Sequence, residues 1–252
     1  MKKEAKSDTT PVTIPSASVP AIPVSAVWGA SESASADDLL ISKALLIQKM
    51  SKLVDDYGAT PGEYRDSVTG ELLGTNEQPL EVIIFDLRKT WVTFLNGEYY
   101  STFPLTVGNA TLPLEEQTAE GTIRRNKTMN FYCLVVRPDM AAEIPVVLSL
   151  SRTGLMTAKK LSTAFARLSR MGKPSASKVI KLTAKKETND RGTYCIAQAE
   201  IGRDATAEEL ETAHGWYLQL QASSFKVDES DNQKQASRTP EPPAFVDGDI
   251  PF

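Results

Sequence analysis

Leu80-Glu81-Val82-Ile83-Ile84-Phe85 and Thr90-Trp91-Val92-Thr93-Phe94-Leu95 are rich in β-branched and aromatic side chains, and Asn96-Gly97 closes the second stretch with a turn pair. Residues of this kind suit a pleated, half-buried surface, so these stretches predict strands joined as a meander. Downstream, Met129 to Arg137 and Ile144 to Leu150 read as two more strands, and Pro145 fits a strand start better than a strand centre. Between Thr153 and Met171 the period changes. Leu155, Ala158, Leu161, Phe165, Leu168 and Met171 recur at three and four residues, which predicts an amphipathic helix ended by Gly172 and Pro174. Val179 to Ala184 and Thr193 to Ile201 then read as strands bracketing the polar loop Lys185 to Gly192. A last helix is expected from the capping-box spacing at Thr206-Ala207-Glu208-Glu209 to about Ala222.

Upstream, Ser35, Asp37 and Asp38 resemble a helix start, and Leu39, Leu40, Lys43, Leu46, Ile47, Met50 and Val54 fall near helical spacing. Ile41, Leu45 and Leu53 are apolar too, so part of this run is equally compatible with a buried strand. Tyr57 to Gly62 reads as a turn, and Asp66-Ser67-Val68-Thr69-Gly70-Glu71 as a polar hairpin tip. The expected organisation is a disordered Ser/Ala/Pro-rich arm over 1–36, a nucleic-acid-binding domain over 37–227 and a disordered acidic tail over 228–252. The class is β-rich α+β. Short strands, one inserted helix, a C-terminal helix and a basic sheet face are compatible with an OB-fold-like antiparallel barrel.

Charge is divided sharply along the chain. Residues 1–120 carry 9 basic and 17 acidic side chains, whereas residues 121–191 carry 15 basic and 4 acidic, a net of +11 in a protein whose overall charge is −4. Such asymmetry is the electrostatic footprint of a polyanion partner. The block interleaves Arg124, Arg125, Lys127, Arg137, Arg152, Lys159, Lys160, Lys181, Lys185 and Lys186 with Phe131, Tyr132 and Tyr194. Cations along a groove release counterions from phosphates, and exposed rings offer a π-face to any base. For Phe131 and Tyr194 core packing is an equal alternative, because strand alternation turns half the side chains inward. Arg124, Arg125 and Lys127, in a loop-like stretch, are the leading phosphate contacts. Trp91, Phe94, Tyr99, Tyr100 and Phe103 form a second aromatic run with few cations, read as core or subunit interface, so a homo-oligomer is compatible with the sequence.

Catalytic constellations are lacking in the sequence. The single histidine, His214, has no cysteine or second histidine at ligand spacing and reads as an interfacial residue. Asp37-Asp38, Asp55-Asp56 and Glu115-Glu116 are adjacent pairs that point in different directions on any regular element. Neither a phosphate-binding Gly-rich loop nor a metalloprotease or nucleophile-elbow string occurs. No enzyme activity, catalytic residue, metal site or cofactor is expected, although a two-metal nuclease built from scattered acids stays open. Cys133 and Cys195 lie in β-like runs and read as buried thiols rather than a disulfide. The charged start and the prolines at 11, 15, 20 and 23 leave no unbroken apolar segment for export, and no stretch is long and apolar enough for a membrane helix.

The string Pro-Glu-Pro-Pro-Ala-Phe-Val-Asp-Gly-Asp-Ile-Pro-Phe, from Pro240 to Phe252, resembles the C-terminal tip of bacterial single-stranded DNA-binding proteins, whose usual ending is D-D-D-I-P-F. Gly248 replaces one acid. The N-terminal arm and the Q-K-M-S and D-S-V-T-G-E segments look like a bacteriophage-type protein. Together these resemblances imply a phage-type single-stranded DNA-binding protein acting in the cytoplasm of a bacterial host cell. They imply that Asp247, Asp249, Ile250, Pro251 and Phe252 recruit replication and repair enzymes, the aromatic ring entering an apolar pocket and the carboxylate meeting a cation. A strand-annealing or recombination-mediator protein fits the same features, as does a mimic of the tip that binds no DNA and competes for host enzymes.

Overall fold

The computed structural model describes residues 40–49, 51–137, 145–189, 192–222 and 226–229. In chain order the elements are β1 (Leu40–Ile41), β2 (Ala44–Leu46), α1 (Lys52–Tyr57), β3 (Tyr64–Asp66), β4 (Leu72–Gly74), β5 (Leu80–Leu95), β6 (Glu98–Pro104), β7 (Glu115–Thr118) and β8 (Gly121–Val135). They continue with β9 (Val146–Ser151), α2 (Leu155–Arg170), β10 (Lys178–Asn189), β11 (Gly192–Asp204), α3 (Ala207–Ala222) and β12 (Lys226–Val227).

The two stretches that set the fold class belong to one strand rather than to two arms of a meander. β5 runs unbroken through Asp86-Leu87-Arg88-Lys89 and pairs antiparallel with β8 from Val82↔Val135 to Leu95↔Ile123, with a bulge between Ile84 and Asp86. Its charged middle does not break the strand because Asp86 and Arg88 pair with each other at 3.0 Å and the Arg88 guanidinium lies 5.1 Å from the Tyr132 ring centre. β5 and β8 form the long axis of a seven-stranded sheet. At one end β10 and then β11 extend the sheet beyond β5, and β9 extends it beyond β8. At the other end β6 flanks β5 and β7 flanks β8, making a narrower arm. Every pairing in this sheet is antiparallel.

Alternation along β5 explains why the sheet is covered on both faces. Val82 and Ile84 point into a core with Phe131, Cys133, Leu148, Leu161 of α2 and Tyr64 of β3, whereas Ile83 and Phe85 point into a second core with Tyr132, Leu134 and Trp216 of α3. A strand buried on both faces reads as a continuous apolar run, as 82–85 does. Each fully buried side chain of this size contributes about 1.5–3 kcal/mol. α2 and the small β2-β3-β4 sheet cover one face and α3 the other.

Several expectations change. The 40–54 run is β1, β2 and only then the short α1, because the backbone of this segment pairs with distant strands: Leu40 and Ile41 with β12, Lys43 with Val147 and Ala44 to Leu46 with β3. The polar segment after Lys185 is not a loop: the β10–β11 hairpin continues to the pair Asn189↔Gly192. The hairpin at Asp66 is as read, with the Asp66 carboxylate accepting from the amides of Val68 and Thr69 at 2.8 and 2.9 Å. α2 and α3 fall where periodicity and capping place them. Thr206 and Glu209 form the reciprocal box, with bonds of 3.2 and 2.8 Å. At the arm, Asn96 (φ 52°) and Gly97 (φ 92°) adopt the left-handed conformations of a tight hairpin turn. The structure is β-rich with antiparallel sheets and helices on both faces, and among the described residues no strand pairing joins β9 to β11 to close the sheet into a barrel. No described helix is long and apolar enough to cross a membrane.

Candidate functional site

The gap between β9 and β11 holds a cavity of about 440 Å³, reached by β2, β5, β8 and the 3-10 turn Arg152–Gly154. Its lining includes Asn126, Thr128 and Asn130, which alternate along β8 and share one face. Thr90 of β5 and Ser149 of β9 flank them: the Asn130 amide donates to Thr90 Oγ1 at 3.1 Å and accepts from Ser149 Oγ at 2.8 Å. Thr128 is 5% exposed, and among the described residues its hydroxyl makes no hydrogen bond. Neither the Thr128 hydroxyl nor the Asn126 carboxamide is among the buried side-chain groups left without a partner, so both open onto the cavity and are reached by solvent. At the rim, Arg152 is exposed, takes a left-handed φ of 47° and makes no ion pair among the described residues. Tyr194 of β11 also lines the cavity. At the far side the buried Lys43 pairs with Glu229 at 3.2 Å.

The basic block separates into two populations. Arg124 pairs with Glu115 at 3.4 Å, Arg125 with Glu116 at 2.6 Å, Arg137 with Glu71 at 2.9 Å, Lys181 with Glu81 at 3.2 Å and Lys185 with Glu187 at 2.9 Å. Arg125 also donates to the Pro113 carbonyl, and Lys127 donates to the Ala110 carbonyl while lying 5.0 Å from the Trp91 ring centre. The hydrogen bond from Lys185 lowers the Glu187 carboxyl below its usual range and correspondingly raises the Lys185 ammonium. These cations are largely neutralised within the fold. Lys159, Lys160, Arg167 and Arg170 are different: α2 contains no acid, and none of the four, nor Lys186, has an ion pair among the described residues. The uncompensated positive surface therefore runs from Arg152 along the outer face of α2, away from Arg124, Arg125 and Lys127.

Two of the expected stacking rings are core residues. Phe131 is fully buried under α2, edge-on to Phe165 with ring centres 6.4 Å apart, and Tyr132 is buried on the opposite face against α3. Strand alternation at adjacent positions sends the two rings to opposite cores, so neither presents a face to a base. Tyr194 stays half-buried at the cavity. Of the second aromatic run, Trp91 and Phe94 are buried and Tyr100 is exposed on the arm. His214 lies on the exposed side of α3. Burial pushes the Cys133 thiol up to about 12 and holds Cys195 above its usual value, so both are protonated, unbridged thiols at neutral pH. Among the described residues no group of three or more His, Cys, Asp or Glu side chains is arranged to hold a metal ion. Asp247, Asp249, Ile250, Pro251 and Phe252 lie outside the described residues.

Sequence reasoning passed over Asn126, Thr128, Asn130, Thr90 and Ser149 because isolated small polar residues carry no motif. The available signal was their spacing: Asn126, Thr128 and Asn130 occupy every second position of a strand that becomes wholly apolar beyond them.

No curated protein and no solved structure matches the chain. A family model described as Pam3 phage gp34-like protein matches residues 25–226, which include the whole described seven-stranded sheet, the cavity strands and the three described α-helices. With most of its length matched by that model, the chain belongs to the Pam3 phage gp34-like family of bacteriophage proteins.

Proposed function

We propose that the protein binds single-stranded DNA with its backbone lying across the rim of the cavity at Arg152 and along α2, and that the D-G-D-I-P-F string recruits replication or repair enzymes. The observation that carries the reading is the run of cations that have no ion pair among the described residues, Arg152, Lys159, Lys160, Arg167 and Arg170, beginning at a polar cavity. Cations already spent on carboxylates gain little from a phosphate, whereas unspent ones release counterions on binding. The connectivity supports an oligonucleotide-binding barrel variant: β5 lies between β8 and β10, β9 follows β8, α2 is inserted between β9 and β10, and β11 returns beside β10. In such folds the nucleic acid lies across the face of the second and third strands, here β8 and β9, both of which line the cavity. The acidic C-terminal string supplies the second half of the proposal through its resemblance to a tip whose ring and carboxylate are captured by partner pockets.

The test is a titration of labelled oligo(dT) and a matched duplex at two salt concentrations, followed by pull-down of tip-binding host enzymes with and without Asp249 to Phe252. Salt-sensitive binding that favours the single strand supports the coating half, and loss of recruitment on deleting the four residues supports the label half. Equal or tighter duplex binding sinks the first, and unchanged recruitment sinks the second.

A further inference from the structure

Rows of cations explain affinity for any strand and leave the cavity unexplained. A backbone-only binder needs no recess behind its phosphate contacts, yet the Asn126, Thr128 and Asn130 row sits inside one. The chemistry of that row is specific. Asn130 is held by Thr90 and Ser149, and a carboxamide with two hydrogens and two oxygen lone pairs that spends one of each still has one donor and one acceptor to offer. Thr128 adds a hydroxyl that can donate and accept and makes no hydrogen bond among the described residues, although the residue is more than nine-tenths buried. The Asn126 carboxamide is likewise without a hydrogen bond among the described residues. All three are neutral, so the recess suits an uncharged ligand edge rather than a phosphate. The cation stands at the mouth, where Arg152 is exposed.

We infer that this cavity takes one nucleobase of a bound single strand, its hydrogen-bonding edge against Thr128, Asn130 and Asn126 and its phosphate at Arg152. On the β11 side the cavity is lined by the half-buried Tyr194, whose hydroxyl lies 3.4 Å from the Glu187 carboxylate. The inference rests on the strand-binding reading above and refines it: binding has a base-selective component at one position on top of a backbone component that every sequence shares. Single-stranded bases are free to present their edges to side-chain amides and hydroxyls in this way. The discrimination expected from one such set of hydrogen bonds is about 1–3 kcal/mol, roughly fivefold to 150-fold in affinity.

Full-length protein is titrated at one salt concentration with equal-length homopolymers of thymine, cytosine and adenine and with an abasic strand of the same backbone. At least one homopolymer is expected to bind about tenfold more tightly than the abasic strand. Thr128→Val, which keeps the shape and removes the hydroxyl, is expected to shrink that ratio several-fold while leaving abasic binding and its salt dependence unchanged. Asn126→Ala, at a less buried position, carries the same test if Thr128→Val does not fold. An abasic strand that binds as tightly as every homopolymer overturns the base pocket and leaves strand binding standing, as does a variant that weakens all four ligands equally. Absence of binding to all four overturns the strand-binding reading and the pocket together.

Discussion

Gln48 and Cys195 are joined by a two-point clasp in which a side chain stands in for a strand. The Gln48 amide nitrogen donates to the Cys195 carbonyl at 2.9 Å, and the Cys195 backbone N–H donates to the Gln48 carboxamide oxygen at 2.8 Å. This is the exchange that two residues make in an antiparallel ladder. On the other side of the same segment, the Val147 amide of β9 donates to the Ser42 carbonyl at 2.9 Å. The chain around β2 thus bridges the edges of β9 and β11, and the cavity lies between its anchorages.

Removing the clasp therefore loosens the cavity wall. Gln48→Ala is expected to destabilise the fold by about 1–3 kcal/mol, two hydrogen bonds of ordinary net worth with the β11 edge left partly unsatisfied. A urea titration reads this as a lower midpoint at unchanged slope. Gln48→Glu is expected to recover about half, because a carboxylate still accepts from Cys195 N–H and cannot donate to its carbonyl. A midpoint for Gln48→Ala equal to that of the unmodified chain contradicts the bridging role.

The division of the cations predicts different salt responses from two sets of substitutions. Removing one cation that neutralises a phosphate of a single strand flattens the log-affinity against log-salt slope by about 0.7. Lys159→Gln with Lys160→Gln, neither of which has an ion pair among the described residues, is expected to flatten it by about 1.4. Arg124→Gln, which removes a cation already shared with Glu115, is expected to change it little. Fluorescence titrations across a salt series compare the two, and a larger effect from Arg124→Gln reverses the assignment.

The sequence carried what depends on neighbours in the chain, and it was silent where distant segments meet. α2 was legible because its apolar positions recur on one side, and α3 because Thr206 and Glu209 sit three apart before a helical run. β5 was read as two pieces because Asp86 to Lys89 look like a break. Only pairing with β8 and the approach of Arg88 to Tyr132, a residue far along the chain, show why they are not. The basic block was legible as a count, whereas its division into spent and unspent charges required partners such as Glu71 and Glu81 that lie far from Arg137 and Lys181 in sequence. The cavity row needed the same long-range knowledge, since Asn130 gains its role from Thr90 and Ser149 on two other strands.

At the start of α3, Arg203 donates to the Glu209 carboxylate at 2.8 Å while that carboxylate also accepts from the Thr206 amide. The Arg203 bond is the main cause holding the Glu209 carboxyl below its ordinary value of 4.5. A carboxyl whose native value is depressed adds stability above its unfolded value and loses it as pH falls through the native one. Glu209→Gln keeps the capping box and removes only the charge, so it is expected to cost about 0.3–1 kcal/mol at pH 7, the worth of an anion at a helix start beside Arg203, with the difference fading as pH falls through the depressed native value below 4.5. Thermal melts of both proteins across that range check it, and a gap that persists undiminished into acid rules out the ionic contribution.

The acidic tail follows directly on a residue of the cavity wall. Asp228 is buried, its N–H donating to the Ile41 carbonyl at 2.9 Å, and Glu229 lines the cavity beside Lys43. Residues 230–252, which come next, carry 4 acids and 2 bases. On the proposed strand-binding reading, that segment would compete with a strand for Arg152 and the α2 cations through exposed charges, an effect that weakens as the screening length falls from about 30 Å at 0.01 M salt to about 3 Å at 1 M. Truncation after Glu229, which keeps Asp228 and the Lys43 partner in place, is expected to tighten oligo(dT) binding at low salt and to lose that advantage at high salt. Titrations of both proteins at the two ends of the salt range decide it. An affinity at low salt unchanged by truncation means that the tail and the strand do not share these cations, and a gain that persists at high salt means that the competition is not electrostatic.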